Sequence, residues 1–168
     1  VIKIVNDFFD KEQFKKIQNH ILKLPFTPCF FKDKPPSKET YFGARYSFRQ
    51  DLDLLNVFVK QAEDKFKIKI NNTDMDSGID LRNVDRFNPH DDADHAVTNI
   101  LIMLKGPKAV TNGTVFYTDN ELDMHIGFKE NRSIMFPSNW IHSNHASNVP
   151  NLRRYTSTLF VKDYEDLV

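Results

Sequence analysis

His90-Asp91-Asp92, His142 and Arg154 are the residues of this chain whose types and order could do chemistry. Two imidazoles and one carboxylate make a ligand set suited to a mononuclear iron(II) centre with coordination positions left open. Histidine and aspartate at i and i+2 project to the same side of an extended chain, so one strand or strand edge can offer both to one ion. A second histidine must then come from another strand, with an arginine close behind it. His95 cannot replace His90 in the pair, because its i+2 neighbour is Val97. Two choices stay open downstream: His142 or His145 as third ligand, and Arg154 or Arg153 as the cation.

Several elements must position these residues. Asp10 caps a helix with Gln13 at the capping-box position, and Phe14, Ile17, Ile21 and Leu24 recur at helical spacing before Pro25. Asp51 opens a second helix whose stripe is Leu54, Val57, Phe58, Ala62 and Phe66. Val1–Val5 and Tyr41–Phe48 read as strands, and residues 25–40, with their prolines and lysines, as loop. From Lys67 the pattern changes to short β segments at 67–70, 80–88, 97–104, 113–117, 124–128, 132–136 and 153–161, with turn chemistry at Asn112-Gly113 and Asp119-Asn120. The expected fold class is mainly β with flanking α-helices: two helices packed on one sheet of a jelly roll. One domain is expected over 1–168, with a helical support region at 1–70 and a β core at 80–162.

Residues 80–162 resemble the iron(II)- and 2-oxoglutarate-dependent oxygenases, particularly small prolyl-hydroxylase-like members. Four segments carry the likeness, in the family's order. Phe87-Asn88-Pro89-His90-Asp91-Asp92 is similar to the aromatic approach and the H-x-D motif. Val97–Leu104 and Asn112-Gly113-Thr114-Val115-Phe116 are similar to the strand and glycine turn that follow, with Asn112 standing where the family has its first glycine. Asn131–His142 resembles the strand and loop that deliver the distal histidine. Arg154-Tyr155-Thr156-Ser157-Thr158 resembles the final R-x-S/T strand.

The resemblance implies a double-stranded β-helix (jelly roll, cupin-like), with His90, Asp92 and His142 as catalytic metal ligands for Fe(II). It implies Arg154 as the clamp on the distal carboxylate of 2-oxoglutarate, with O2 the other co-substrate; Thr156 and Thr158 share that face. The implied activity is a hydroxylase (dioxygenase) that decarboxylates 2-oxoglutarate to succinate and CO2. The chain departs from the pattern at Ile100–Met103, where many such members carry a tyrosine. Two rivals remain, a cupin-like metal-binding protein without oxygenase activity and a metal-free β-sandwich binding module. Neither has reason to bury an arginine on the last strand.

Composition narrows the partners. The 168 residues carry 23 basic and 23 acidic side chains, which removes a whole-molecule argument for nucleic acid or membrane. The longest apolar run, Ile100–Leu104, is strand-sized, and Val1–Val5 does not resemble a signal peptide. A single cysteine, Cys29, fits a reducing cytoplasm and reads as packed filler. Richness in Lys, Asn, Ile and Phe has the flavour of AT-rich coding, as in viruses and low-GC bacteria. A small-molecule or protein/peptide substrate is expected, with oligomeric state open. Tyr41, Arg45, Arg49 and Trp140 are candidates for the substrate mouth, while His20 and His125 read as structural or exposed.

Overall fold

The computed structural model describes residues 1–32, 34–83, 88–146, 148–149 and 151–167. In chain order the elements are β1 (Lys3–Val5), α1 (Lys11–Ile21), β2 (Thr27–Phe30), β3 (Tyr41–Ser47), α2 (Leu52–Phe66), β4 (Ile68–Thr73) and β5 (Gly78–Arg82). They continue with β6 (Thr98–Lys105), β7 (Asn112–Thr118), β8 (Glu121–Gly127), β9 (Arg132–Pro137), β10 (His142–Ala146) and β11 (Arg154–Asp166). An eight-stranded sheet runs β1-β9-β6-β11-β5-β3-β2, with β4 also paired to β11, and a three-stranded sheet runs β10-β7-β8. This is the helix-supported jelly roll expected from the strand-and-turn pattern.

Both helices begin where a carboxylate can accept an orphan backbone N–H. Asp10 Oδ1 accepts from Gln13 N and Asp51 Oδ1 from Leu54 N, each at 2.9 Å. Lys67, at φ 55°, ends α2 in the left-handed conformation. The buried stripes Ile17, Ile21 and Leu54, Phe58, Ala62, Phe66 then cover one face of the large sheet. Strand alternation divides the sheet's residues between two environments. Ile100, Ile102 and Leu104 of β6 and Leu159 and Val161 of β11 pack with the helices. Residues on the opposite face look toward the small sheet, where Met103, Phe116, Ile126, Ile134 and Phe136 form a second apolar cluster. The two clusters together leave one end of the space between the sheets for polar side chains.

Three sequence expectations are corrected. Residues 27–30 form an edge strand rather than loop; Pro28, which has no N–H, is tolerated there because only one side of β2 is paired. The strand expected at 80–88 is β5, ending at Arg82, and residues 84–87, including Phe87, lie outside those described. The stretch 90–92 is not a regular strand. His90 makes one antiparallel bridge with His142, after which His95 N and Ala96 N both donate to Asp92 O and close a turn. Asp91 Oδ1, accepting from Ala93 N, favours that turn over extension.

Candidate active site

His90 and His142 exchange both backbone hydrogen bonds, N–H to C=O, at 3.0 and 2.8 Å. That bridge ties the segment before the turn to the first residue of β10 and brings the two imidazoles to 4.6 Å between ring centres. Asp92 N donates to Ser138 O, which fixes the turn against the loop after β9. The ligand atoms of His90, Asp92 and His142 consequently all lie within 4.8 Å of one another. Asp92 Oδ2 is 3.2 Å from His142 Nε2, and Oδ1 is 3.7 Å from His90 Nε2.

The donor set suits a metal ion. His142 Nδ1 is 2.8 Å from Trp140 O, and His90 Nδ1 is 2.9 Å from Asn88 O. A carbonyl only accepts, so each Nδ1 is the donor there and each Nε2 faces Asp92, where a proton or a metal ion can bridge nitrogen and carboxylate. Burial and then the neighbouring His142 hold the His90 imidazole below its ordinary pKa, which favours the neutral, ligating form. Burial pushes the Asp92 carboxyl up. The hydrogen bond and charge of His142, the charge of His90 and the Asn99 amide outweigh that and keep it below its usual range. Phe136 and Phe116 stand 4.9 and 6.1 Å from the His142 ring and shield it from one side.

These residues open onto a cavity of about 540 Å³ whose other wall is β11. Arg154, Thr156 and Thr158 all line it, as β alternation requires. Arg154 is 2% exposed; its Nη1 donates to Gly113 O, its Nη2 to Thr114 Oγ1 at 3.0 Å, and its guanidinium lies 5.4 Å from the Phe128 ring centre. A buried guanidinium beside hydroxyls is a suitable donor array for a carboxylate.

The open choices take definite positions. His142 sits beside His90 and Asp92, whereas His145 turns to the outer face of the small sheet, 5.8 Å from the His125 ring. Arg154 faces the cavity, whereas Arg153 is exposed. Asp91 is an exposed rim residue. His95 is also at the rim, 3.8 and 3.6 Å from Asp74 and Asp76. Of the suggested mouth residues, Arg45 lines the cavity. Trp140 packs against Phe116, Tyr41 against Phe30, and Arg49 pairs with Asp76 at the surface. Cys29 is half-buried at the cavity wall rather than core filler, and burial raises its thiol pKa.

Sequence reasoning missed Asp80, Arg82, Asn99 and Thr114, all of which line the cavity. Asp80, 4% exposed, takes Arg45 Nε at 2.8 Å and Nη2 at 3.2 Å on its two oxygens, and Arg82 Nη2 is 3.7 Å away. Burial pushes the Asp80 carboxyl up, but Arg45, Arg82 and Arg154 outweigh it and hold it low. One available signal was a polar residue at an inward position of a strand otherwise read as apolar.

No protein-family model and no curated protein sequence matches the chain. Solved structures do match. The non-heme alpha ketoglutarate dependent epimerase SnoN from nogalamycin biosynthesis aligns over 98% of this chain and 78% of its own, with a TM-score of 0.64 and 11% identity. A 2OG-Fe(II) oxygenase family oxidoreductase from Burkholderia pseudomallei aligns over 98% and 85%, with a TM-score of 0.64 and 14% identity. The fold is that of the 2OG-Fe(II) oxygenases. A prolyl hydroxylase from Trichoplax adhaerens, solved with a hypoxia inducible factor peptide fragment, shares this oxygenase fold over 98% and 83%, with a TM-score of 0.62 and 12% identity. Among the described residues no helix is long and apolar enough to cross a membrane.

Proposed function

We propose that this protein is an Fe(II)- and 2-oxoglutarate-dependent oxygenase, with His90, Asp92 and His142 as the metal ligands and Arg154 as the 2-oxoglutarate anchor. The observation that carries the reading is the pairing of two walls in one cavity: a two-histidine, one-carboxylate cluster and a buried arginine on β11. A metal-storage or cupin-like role accounts for the first wall and leaves the second without purpose.

Bound at the three ligands, ferrous iron supplies dioxygen activation, coupling decarboxylation of 2-oxoglutarate to oxidation of a substrate C–H bond. The chain's own share is positioning. Trp140 O and Asn88 O hold the imidazoles with Nε2 inward; Phe116 and Phe136 keep water from one side of His142. Arg154 presents its charge to a carboxylate, and Thr156 and Thr158 add hydroxyl donors on the same wall. The whole chain 1–168 acts as one unit in this reading, with 1–70 supporting the β core. Its substrate is a small molecule or a peptide that enters past the Arg45–Asp80–Arg82 wall.

Anaerobic Fe(II) titration with and without 2-oxoglutarate tests the assignment. The iron–2-oxo acid chelate is expected to give a weak visible charge-transfer band, and 2-oxoglutarate to raise the melting temperature of the metal-loaded protein. No band together with no thermal shift sinks it.

A further inference from the structure

The inward face of β6 carries Asn99, Leu101 and Met103, and the one polar residue of the three stands beside Asp92. Asn99 is 0% exposed, and its backbone is paired on both sides, to Phe136 of β9 and Phe160 of β11. Its amide therefore projects from one of the most firmly held positions in the sheet. Nδ2 lies 2.6 Å from Asp92 Oδ2. A carboxylate can only accept, so the amide is oriented by chemistry, with nitrogen toward Asp92 and Oδ1 away from it. That Oδ1 is buried and has no hydrogen-bond partner among the described residues.

We propose that Asn99 is a positioning residue: it engages one oxygen of Asp92, so that the carboxylate gives the metal a single oxygen. The oxygen left for the metal is Oδ1 of Asp92, 3.7 Å from His90 Nε2, while Oδ2, 3.2 Å from His142 Nε2, is the one that accepts from the amide. One-oxygen ligation keeps a coordination position open that a chelating carboxylate would fill. The inference rests on the metal assignment above.

The test uses Mn2+ and Co2+ as probes on the purified full chain. Asn99→Leu, similar in size and without polar atoms, is expected to weaken Mn2+ binding about 10–100-fold, as loss of a group that orients a metal ligand does. It should also alter the visible Co2+ spectrum as the freed carboxylate changes its mode of ligation. Asn99→Ala adds no bulk and serves if the leucine variant does not fold. Ser133→Ala removes a part-buried hydrogen bond to the same strand, from Ser133 Oγ to Leu101 O at 3.1 Å. It measures what loosening β6 does alone, and its Mn2+ affinity should match wild type. A folded Asn99 variant with wild-type Mn2+ affinity and Co2+ spectrum overturns the role of Asn99 and leaves the metal site standing. An equal loss in Ser133→Ala also overturns it. Wild-type protein that binds neither ion overturns the metal assignment itself.

Discussion

Replacing Arg154 should separate co-substrate binding from metal binding. The Arg154 guanidinium is 2% exposed, and removing one partner from a buried ion pair costs about 3–5 kcal/mol. Arg154→Met is therefore expected to weaken 2-oxoglutarate binding by roughly two to three and a half powers of ten. Arg154→Lys keeps the charge but not the fork; loss of about one charge-assisted hydrogen bond, 1.5–3 kcal/mol, predicts a weakening of about 10–150-fold. The methionine variant also leaves Gly113 O and Thr114 Oγ1 without the donors they have now. About 2 kcal/mol of lost stability, or a melting temperature lower by roughly 4–8 °C, follows for a chain of this size. Calorimetric titration of 2-oxoglutarate into Mn2+-loaded protein measures the first effect, and Mn2+ titration without 2-oxoglutarate should be unchanged. At 2-oxoglutarate a hundredfold above its dissociation constant, wild type should gain about 2.7 kcal/mol of stability that the methionine variant lacks. Affinity in Arg154→Met within threefold of wild type refutes the reasoning, and Arg153→Ala serves as the exposed control.

His142→Ala should abolish Fe(II) or Mn2+ binding while His145→Ala keeps it, since only His142 faces His90 and Asp92; equilibrium dialysis reads the difference, and the reverse result moves the ligand role to His145. Asp80→Asn should destabilise the fold by about 1.5–3 kcal/mol at pH 7, because the half-buried Arg45 and the more deeply set Arg82 lose their counter-charge. The Asp80 carboxyl is held below its unfolded pKa of about 3.9, so its contribution is full above that value and lost as pH falls through the folded one. The gap between variant and wild type in urea melts should shrink below about pH 4, and a gap constant down to pH 2 contradicts the ion-pair account. Gly113→Ala would press a methyl group into Ile126 O and the His125 ring, and the backbone oxygen cannot rotate away. Because Gly113 O accepts from Arg154, 2-oxoglutarate affinity should fall with it, by about tenfold or more, and His125→Ala should not rescue it.

Much of the site was legible because its chemistry is written in residue types at short spacing. His90-x-Asp92 and the Arg154-x-Thr156-x-Thr158 alternation need only local geometry, and both helices announce themselves through Asp10, Asp51 and their apolar stripes. What was hidden depends on contacts distant in sequence. Asn99 reads as an interruption in an apolar strand until Asp92 is brought over it, and Asp80 has meaning only once Arg45, on a different strand, lies beside it. The strand β2 was hidden because it holds Pro28 and lies in a stretch, 25–40, whose prolines and lysines carry loop statistics, and only pairing with β3 makes it a strand. The choice between His142 and His145 turned on which side of β10 faces inward, which the bridge to His90 decides.

The two walls of the cavity differ in how deeply they are tied into the fold. β11 is thirteen residues long, bonded to β6 along one edge and to β5 and then β4 along the other, with the larger core behind it. His90 and Asp92 sit in a bridge and a turn, and His142 begins a five-residue strand at the edge of the small sheet. Regions with few tertiary ties open at far lower free energy than central strands. The ligand side can thus breathe while the arginine side stays formed, so an ion can be taken up or surrendered without global unfolding. Amide exchange should register this as fast, metal-suppressible exchange at residues 90–96 and 142–146, set against near-global protection at 155–161.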